Sequence, residues 1–183
     1  MGIKTGEEQK KMLAYILENY KGRLIIDADG LNNLADMNSD HLLKTGASVI
    51  LTPHIKEFSR LSEKSCEEIL NDPIGCAKEY ASTNGVILLL KGTATVITDG
   101  KAVYITDTGA SGMATAGSGD VLSGILTGIM GFAPDGELLL STASGAYING
   151  RCGMMAQEAY TSVGMTSSDT ASFIPHILKS FGV

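Results

Sequence analysis

Apolar and polar positions alternate along this chain in two rhythms, one of period near 3.6 and one of short continuous runs. Met12, Leu13, Ile16 and Leu17 recur at helical spacing and predict a helix that begins near Glu7 and ends at Lys21-Gly22. Glu7 and Glu8 suit its N-terminus. The run Leu24-Ile25-Ile26 predicts a buried strand over 23–27, ending in the polar segment Asp27-Ala28-Asp29-Gly30-Leu31-Asn32-Asn33. A short helix over 40–44 and a strand over 48–51 are expected next. Thr52 is then expected to cap a helix with Pro53 in its first position and Ile55, Phe58 and Leu61 facing inward. A helix over 72–83 opening at Pro73, an Asn84-Gly85 turn and a strand over 86–90 follow. Beyond the turn over 91–95, Val96-Ile97-Thr98, Asp99-Gly100 and Val103-Tyr104-Ile105 read as a hairpin.

The second part of the chain is helical in pattern. A glycine-rich turn within 112–124 enters a helix whose inner face carries Val121, Leu122, Ile125, Leu126, Ile129 and Met130. Gly124 and Gly128 share the opposite side, open to the close approach of another backbone. A loop is expected at Pro134-Asp135-Gly136. The span 138–159 reads as one long helix or two, with Ala143, Ser144, Gly145, Ala146, Gly150 and Gly153 suited to close helix packing. Thr166-Ser167-Ser168-Asp169 resembles a capping box for a last helix ending near Phe181. Strands alternating with helices predict an α/β fold. With no repeat, low-complexity tract or linker, one domain over 1–183 is expected.

Composition narrows the function classes. A chain of 183 residues with 44% hydrophobic and 19% charged residues has enough apolar surface for a sizeable core. A net charge of −6 argues against a general nucleic-acid or anionic-membrane binder, though not against a nucleotide held by backbone N–H groups. Cys66, Cys76 and Cys152 are scattered and odd in number, so inert thiols in a reducing cytoplasm are expected. No signal peptide or membrane span is legible; the apolar run at 86–90 has strand length.

The candidate chemistry centres on Gly117-Ser118-Gly119-Asp120. Gly117 and Gly119 are able to adopt the φ > 0 geometry of a tight backbone cradle, beside the free N–H groups of a helix start. An aspartate there repels phosphate, so its sense is that of a base taking a proton from a hydroxyl. A plain glycine turn followed by a helix-start acid reads the same residues without chemistry. Asp27, Asp29 and Asn32, at a strand's carboxyl end, stand where α/β sheets keep ligand groups, or form only a polar turn and cap. Lys91, just before Gly92, is either a point charge for phosphate or a solvated strand-edge lysine. His54 is placed to donate a hydrogen bond or stack on a ring at the mouth of a site, and is equally legible as a satisfied polar residue.

Taken together and in order, these segments resemble the ADP-dependent NAD(P)H-hydrate dehydratases, of ribokinase-like fold. The matching stretches are Asp27-Ala28-Asp29-Gly30-Leu31-Asn32, Leu51-Thr52-Pro53-His54 with Glu57-Phe58 and Arg60-Leu61, Leu90-Lys91-Gly92-Thr93-Ala94-Thr95, and the glycine-rich junction from Gly112 to Leu122; Ser168-Asp169 also fits. The resemblance implies a three-layer sandwich with a mostly parallel central sheet. It implies repair of hydrated NADH and NADPH, with ADP or ATP as phosphoryl donor together with Mg²⁺, and no metal ligand set of the protein's own. Lys91, Gly92, Thr93, Ala94, Thr95, Gly117, Ser118 and Gly119 would contact the adenine nucleotide. Asp120, His54, Asp29 and Asn32 would contact the hydrate, with Asp120 as catalytic base. The chain departs from the family at Ala116 and Ser118, at Ala110-Ser111 in place of Asn-Pro, at Gly30, and at Ile55-Lys56 in place of Pro-Gly. Family members carry a further N-terminal portion, so the chain is expected to be truncated. Self-association, or association with that portion, is expected to cover the sheet edge left open. A vitamin-precursor kinase of the same superfamily and a non-catalytic nucleotide-binding remnant remain as alternatives; Thr52-Pro53-His54 favours the dehydratase, since the kinases commonly carry asparagine at the histidine position.

Overall fold

The computed structural model describes residues 2–37, 40–134 and 136–182. Of the expected loop at Pro134-Asp135-Gly136, the aspartate lies outside them. The chain divides into two compact units, residues 1–105 and 106–183.

In the first unit the elements run α1 (Glu7–Asn19), β1 (Arg23–Ile26), α2 (Asp29–Ala35), α3 (Asp40–Lys44), β2 (Ser48–Leu51), α4 (Ile55–Ser62), α5 (Cys66–Asn71), α6 (Pro73–Asn84), β3 (Ile87–Leu90), β4 (Thr95–Thr98) and β5 (Val103–Thr106). The strands form one mixed sheet in the order β1-β2-β3-β4-β5. β1, β2 and β3 are parallel, with Ile26 opposite Leu51 and Leu51 opposite Leu88. β4 turns back antiparallel on β3, Leu89 facing Ile97. The four residues between β3 and β4 leave no room for the crossover that a parallel neighbour needs. β1 has β2 as its neighbour and stands at the outer end of the sheet.

The strands lie inside because their sequences are apolar on both faces. Ile50, Leu51, Leu88, Leu89 and Ile97 are fully buried, as expected of strands covered by helices, and each such side chain stabilises the fold by about 2 kcal/mol. Leu13 and Leu17 of α1, Leu31 and Leu34 of α2, Phe58 of α4 and Ala77 and Ala81 of α6 complete this core. Met12, expected on the inner face of α1, is 44% exposed, because the packed stripe runs through Leu13 and Leu17 and leaves Met12 at its margin. α5 was not apparent from the apolar periodicity. Its signal is the Ser65–Glu68 capping box, in which Ser65 Oγ accepts from the Glu68 N–H and Glu68 Oε2 accepts from the Ser65 N–H. α6 is capped by Asp72, which accepts from the Gly75 N–H, and ends on left-handed Gly85.

Lys4, Ala28, Glu63 and Thr161 have positive φ without being glycine, and Ala28 is strained. Ala28 has φ 50° and ψ −119°, and the Gly30 N–H donates to the Asp27 carbonyl at 3.0 Å. That is the first central position of a type II′ turn, which glycine favours. Ala28→Gly is expected to raise stability by about 1 kcal/mol, the relief of strain exceeding the added chain entropy. Urea unfolding of the two proteins measures it, and a lower midpoint for the variant contradicts it.

In the second unit a 3₁₀ turn (Ser111–Met113) leads to α7 (Ser118–Phe132), α8 (Leu138–Tyr160), α9 (Ser167–Ser172) and α10 (Ile174–Ser180). Ile125, Ile148, Cys152 and Ile177 form its core, with Val121, Ile129, Phe173 and Leu178 packed against them. The span 138–160 is one continuous helix. Its small residues serve close packing: a Cβ on Gly145 would press on Leu126, one on Gly150 on Thr108 and one on Gly153 on Met113. Ser144, by contrast, is exposed. Gly124 and Gly128 have open space beside them, so no backbone among the described residues makes the approach they permit. The Thr166–Asp169 capping box forms as expected, Asp169 Oδ2 accepting from the Thr166 N–H at 2.7 Å. Those bonds hold the Asp169 carboxyl below the usual carboxylate range. The last helix is two: Pro175 has no N–H to continue the ladder, and the chain breaks at Phe173 between α9 and α10.

Two of the three thiols are buried, as expected. Burial pushes the Cys152 thiol up to about 11 and raises that of Cys76, while Cys66 is half-buried; all three are unpaired by disulfide. No helix among the described residues is long and apolar enough to cross a membrane.

Candidate functional site

In the first unit the parallel strands β1, β2 and β3 end side by side, and each delivers a polar residue just past its carboxyl end. These are Asp27 after β1, Thr52 to His54 after β2 and Lys91 after β3. This is where α/β sheets bind ligands, because side chains there escape the covered faces of the sheet. The Lys91 N–H donates to the Pro53 carbonyl at 2.8 Å, and His54 and Lys91 form a parallel bridge that extends the β2–β3 register. Their backbones are therefore fixed relative to one another by the sheet.

Lys91 is not a solitary charge. Its Nζ donates to Asp27 Oδ1 at 2.9 Å, with the Asp27 side chain 3% exposed and that of Lys91 26% exposed. One of the three ammonium donors is spent on this pair, and two remain. The sequence offers Asp27 as a ligand group at a strand's end or as part of a polar turn; its pairing with Lys91 comes only with the sheet.

His54, and not Thr52, caps α4. Its Nδ1 accepts from the Glu57 N–H at 3.1 Å, and Glu57 Oε2 accepts from the His54 N–H at 2.9 Å. Thr52 is fully buried and its hydroxyl reaches back to the Ile26 carbonyl. Pro53 removes one N–H and fixes the extended approach to the cap. Half of the His54 side chain is exposed, while that of Glu57 is 8% exposed with Oε1 3.6 Å from His54 Nε2. Glu57 is a residue that the sequence left without a role, although histidine followed three residues later by glutamate is a capping-box spacing.

Asp29 and Asn32 sit on the first turn of α2, close to the same strand ends. Asp29 Oδ2 accepts from the Lys4 N–H at 2.9 Å. Fully buried Asn33 holds the same segment, accepting from the Gly6 N–H and donating to the Lys4 and Asp29 carbonyls. Asn32 Oδ1 accepts from Arg60 at 2.7 Å, so its amide N–H₂ is the part left to meet a ligand. Gly92, Thr93 and Ala94 form an exposed turn between β3 and β4, with Thr95 half-buried at the start of β4.

The second unit carries the glycine–aspartate junction. Gly117 is left-handed at φ 85° and caps α7; Gly119, against expectation, lies inside the helix with ordinary helical geometry. One glycine suffices for the turn, because helix dihedrals already aim the N–H groups of 118–120 forward. Among the described residues no backbone carbonyl or capping side chain accepts from the Gly119 and Asp120 N–H groups. A helix start with open donors is an anion site. A Cβ on Gly117 would press on Ser167 Oγ at the start of α9, so glycine is required there by space as well as by φ. Asp120 is exposed on the first turn.

The sequence model of the NAD(P)H-hydrate dehydratase family matches residues 1–176. The chain belongs to that family. Over 162 residues it is 40% identical to a bifunctional NAD(P)H-hydrate repair enzyme of Moorella thermoacetica, covering 85% of this chain and 29% of that protein. The crystal structure of an ADP/ATP-dependent NAD(P)H-hydrate dehydratase from Bacillus subtilis, co-crystallised with ATP and Mg²⁺, superposes at a TM-score of 0.77. That structure is 26% identical, and the match covers 87% of this chain and 55% of that one. A ribokinase-like protein of Enterococcus faecalis shares the fold, with TM-score 0.77, 22% identity, and 94% and 58% of the two chains covered. The chain spans 29% to 61% of the length of the first curated relatives it matches. The expected family and the ribokinase-like α/β character thus hold, while the sheet is mixed.

Proposed function

We propose that this chain serves the ADP- or ATP-dependent dehydration of hydrated NADH and NADPH in the cytoplasm. The observation that carries the reading is the cluster of Asp27, His54, Glu57 and Lys91 at the carboxyl ends of three parallel strands, in a chain matched by the dehydratase family over residues 1–176. The reading takes residues 1–183 as one partial domain of the three-layer ribokinase-like sandwich, in keeping with a single match that runs through both units.

The chemistry starts from a poor leaving group. The hydrate's hydroxyl oxygen attacks the terminal phosphorus of ADP, the bond from that phosphorus to AMP breaks, and the hydroxyl proton passes to Asp120. The C–O bond of the phosphorylated hydrate then breaks, inorganic phosphate leaves with the electron pair, the adjacent ring carbon gives up a proton to water, and the C–H electrons form the double bond that restores the dihydronicotinamide ring. The residues of this chain position and neutralise. Gly117 and Ser118 shape the turn against the nucleotide, Gly119 offers its open backbone N–H to phosphate, Lys91 offers its two remaining N–H groups, and the Gly92 to Thr95 turn lies along the nucleotide. His54, Asp29 and Asn32 meet the hydrate.

Mg²⁺ fits this donor set only as a partner of the nucleotide. Among the described residues no three His, Cys, Asp or Glu side chains are grouped to hold a metal, and Mg²⁺ is ordinarily held by phosphates with one or two carboxylates and water. When bound it would neutralise charge on the transferring phosphoryl group.

Nucleotide binding is the first test. ADP with Mg²⁺ at ~50-fold its Kd is expected to raise the melting temperature by roughly 5–9 °C, through linkage of about 2.3 kcal/mol. Calorimetry that detects no binding of ADP or ATP at millimolar concentration overturns the reading for this chain. The second test is recovery of NADH absorbance from NADH hydrate with ADP; phosphorylation of a pyrimidine or thiazole alcohol instead would favour the kinase alternative. Association with a second copy or another chain belongs to the same reading, and sedimentation at micromolar concentration tests it.

A further inference from the structure

We propose that Glu57 locks His54 as a single tautomer, with its lone pair spent inside the protein and its one N–H turned outward, so that His54 is a hydrogen-bond donor to the ligand and not a base. The argument begins with the choice of residue. Helix N-caps favour asparagine, aspartate, serine and threonine, and histidine is not among them. His54 nevertheless caps α4, with both reciprocal bonds of a capping box in place. Local stability alone does not call for an imidazole at this position.

The cap decides which nitrogen carries the proton. A backbone N–H only donates, so Nδ1, which receives the Glu57 N–H at 3.1 Å, must be the unprotonated acceptor. The neutral ring therefore carries its hydrogen on Nε2. The Glu57 carboxylate reinforces this from the other side. It accepts from the His54 N–H at 2.9 Å, fixing the backbone that bears the ring, and its Oε1 lies 3.6 Å from Nε2, where a negative charge favours an N–H over a lone pair. At 3.6 Å this is attraction without a hydrogen bond, so the Nε2–H keeps its capacity for another acceptor. The His54 side chain is 51% exposed and the Glu57 side chain 8%, which leaves the donor accessible and its positioning group shielded. Beside it, the parallel bridge to Lys91 fixes the same backbone to β3.

The consequence for chemistry is a division of labour. With its lone pair committed, His54 has no site for an abstracted proton unless the α4 cap opens. The group it meets must carry an acceptor: a carbonyl, hydroxyl or phosphoryl oxygen. Identifying that group with the hydrated dinucleotide rests on the dehydratase reading; the tautomer does not.

Long-range ¹H–¹⁵N spectra of the intact chain, at a pH where His54 is neutral, test the tautomer directly. Expected is a pyridine-type Nδ1 and a pyrrole-type Nε2; a protonated Nδ1, or two nitrogens averaged to intermediate shifts, overturns the proposal. Glu57→Gln, which keeps an acceptor for the His54 N–H, is expected to preserve that pattern, and Glu57→Ala to shift it towards averaging. An unchanged pattern in Glu57→Ala would remove Glu57 from the positioning role. His54→Ser supplies a favoured cap whose short side chain does not reach the outward donor position. It is expected to keep the melting temperature while weakening binding of NADPH hydrate about tenfold, the worth of one hydrogen bond. Full affinity in His54→Ser would contradict the donor role; a correct tautomer in a protein that binds no hydrate would leave the lock standing and refute the dehydratase reading.

Discussion

Asp120→Asn is expected to lower turnover of NADH hydrate with ADP by about 10²- to 10⁴-fold, the usual loss when a general base is removed. Nucleotide affinity is expected to survive. The donors this helix start would offer a phosphate are backbone N–H groups, which asparagine does not alter, and removing a negative charge beside phosphate does not weaken phosphate binding. Asparagine is close to isosteric and the side chain is exposed at the first turn of α7, so stability should stay within about 0.5 kcal/mol. The comparison is made by following NADH absorbance for both proteins and measuring ADP binding by calorimetry. Undiminished turnover in the variant would reduce Asp120 to an acid favoured by the helix dipole.

The second large effect concerns the Asp27–Lys91 pair. Lys91→Met leaves the Asp27 carboxylate, 3% exposed, without its cation, and an unpaired buried charge costs about 3 kcal/mol. Asp27→Asn made in the same protein removes that charge. The double variant is therefore expected to regain at least half of the loss, since the introduced thioether side chain then packs beside a neutral amide. Urea unfolding of the four proteins closes a double-mutant cycle. Strictly additive losses would mean that the 2.9 Å contact contributes nothing of its own. The nucleotide readout separates charge from structure: Lys91→Met should weaken ADP in both backgrounds, because the two free ammonium donors are lost with or without Asp27.

Much of this molecule is legible along the chain, for local reasons. β2, α3 and the Thr166 capping box follow from apolar runs and cap residues that act within a few positions of themselves. The glycine–aspartate junction is legible because a left-handed turn before a helix demands glycine at one position, and Gly117 fills it. The family is legible because these local pieces recur in a fixed order. Where local cues competed, the sequence misled. Thr52-Pro53 looks like a cap and first turn, yet Thr52 is drawn into the sheet by its bond to Ile26 and the cap passes to His54.

The order of residues along the chain already carries the alternation of strands and helices and the succession of chemistry-bearing motifs. Which distant residues meet is settled by the folded sheet. Asp27 and Lys91 are 64 positions apart and pair because β1, β2 and β3 run parallel and end together. Asn33 reaches back to the backbone at Lys4 and Gly6 because α2 folds over that segment. Such pairings carry no periodic signature, since the loop lengths between the partners are free to vary. They are fixed by strand register and by the burial of apolar faces, and both belong to the folded sheet as a whole.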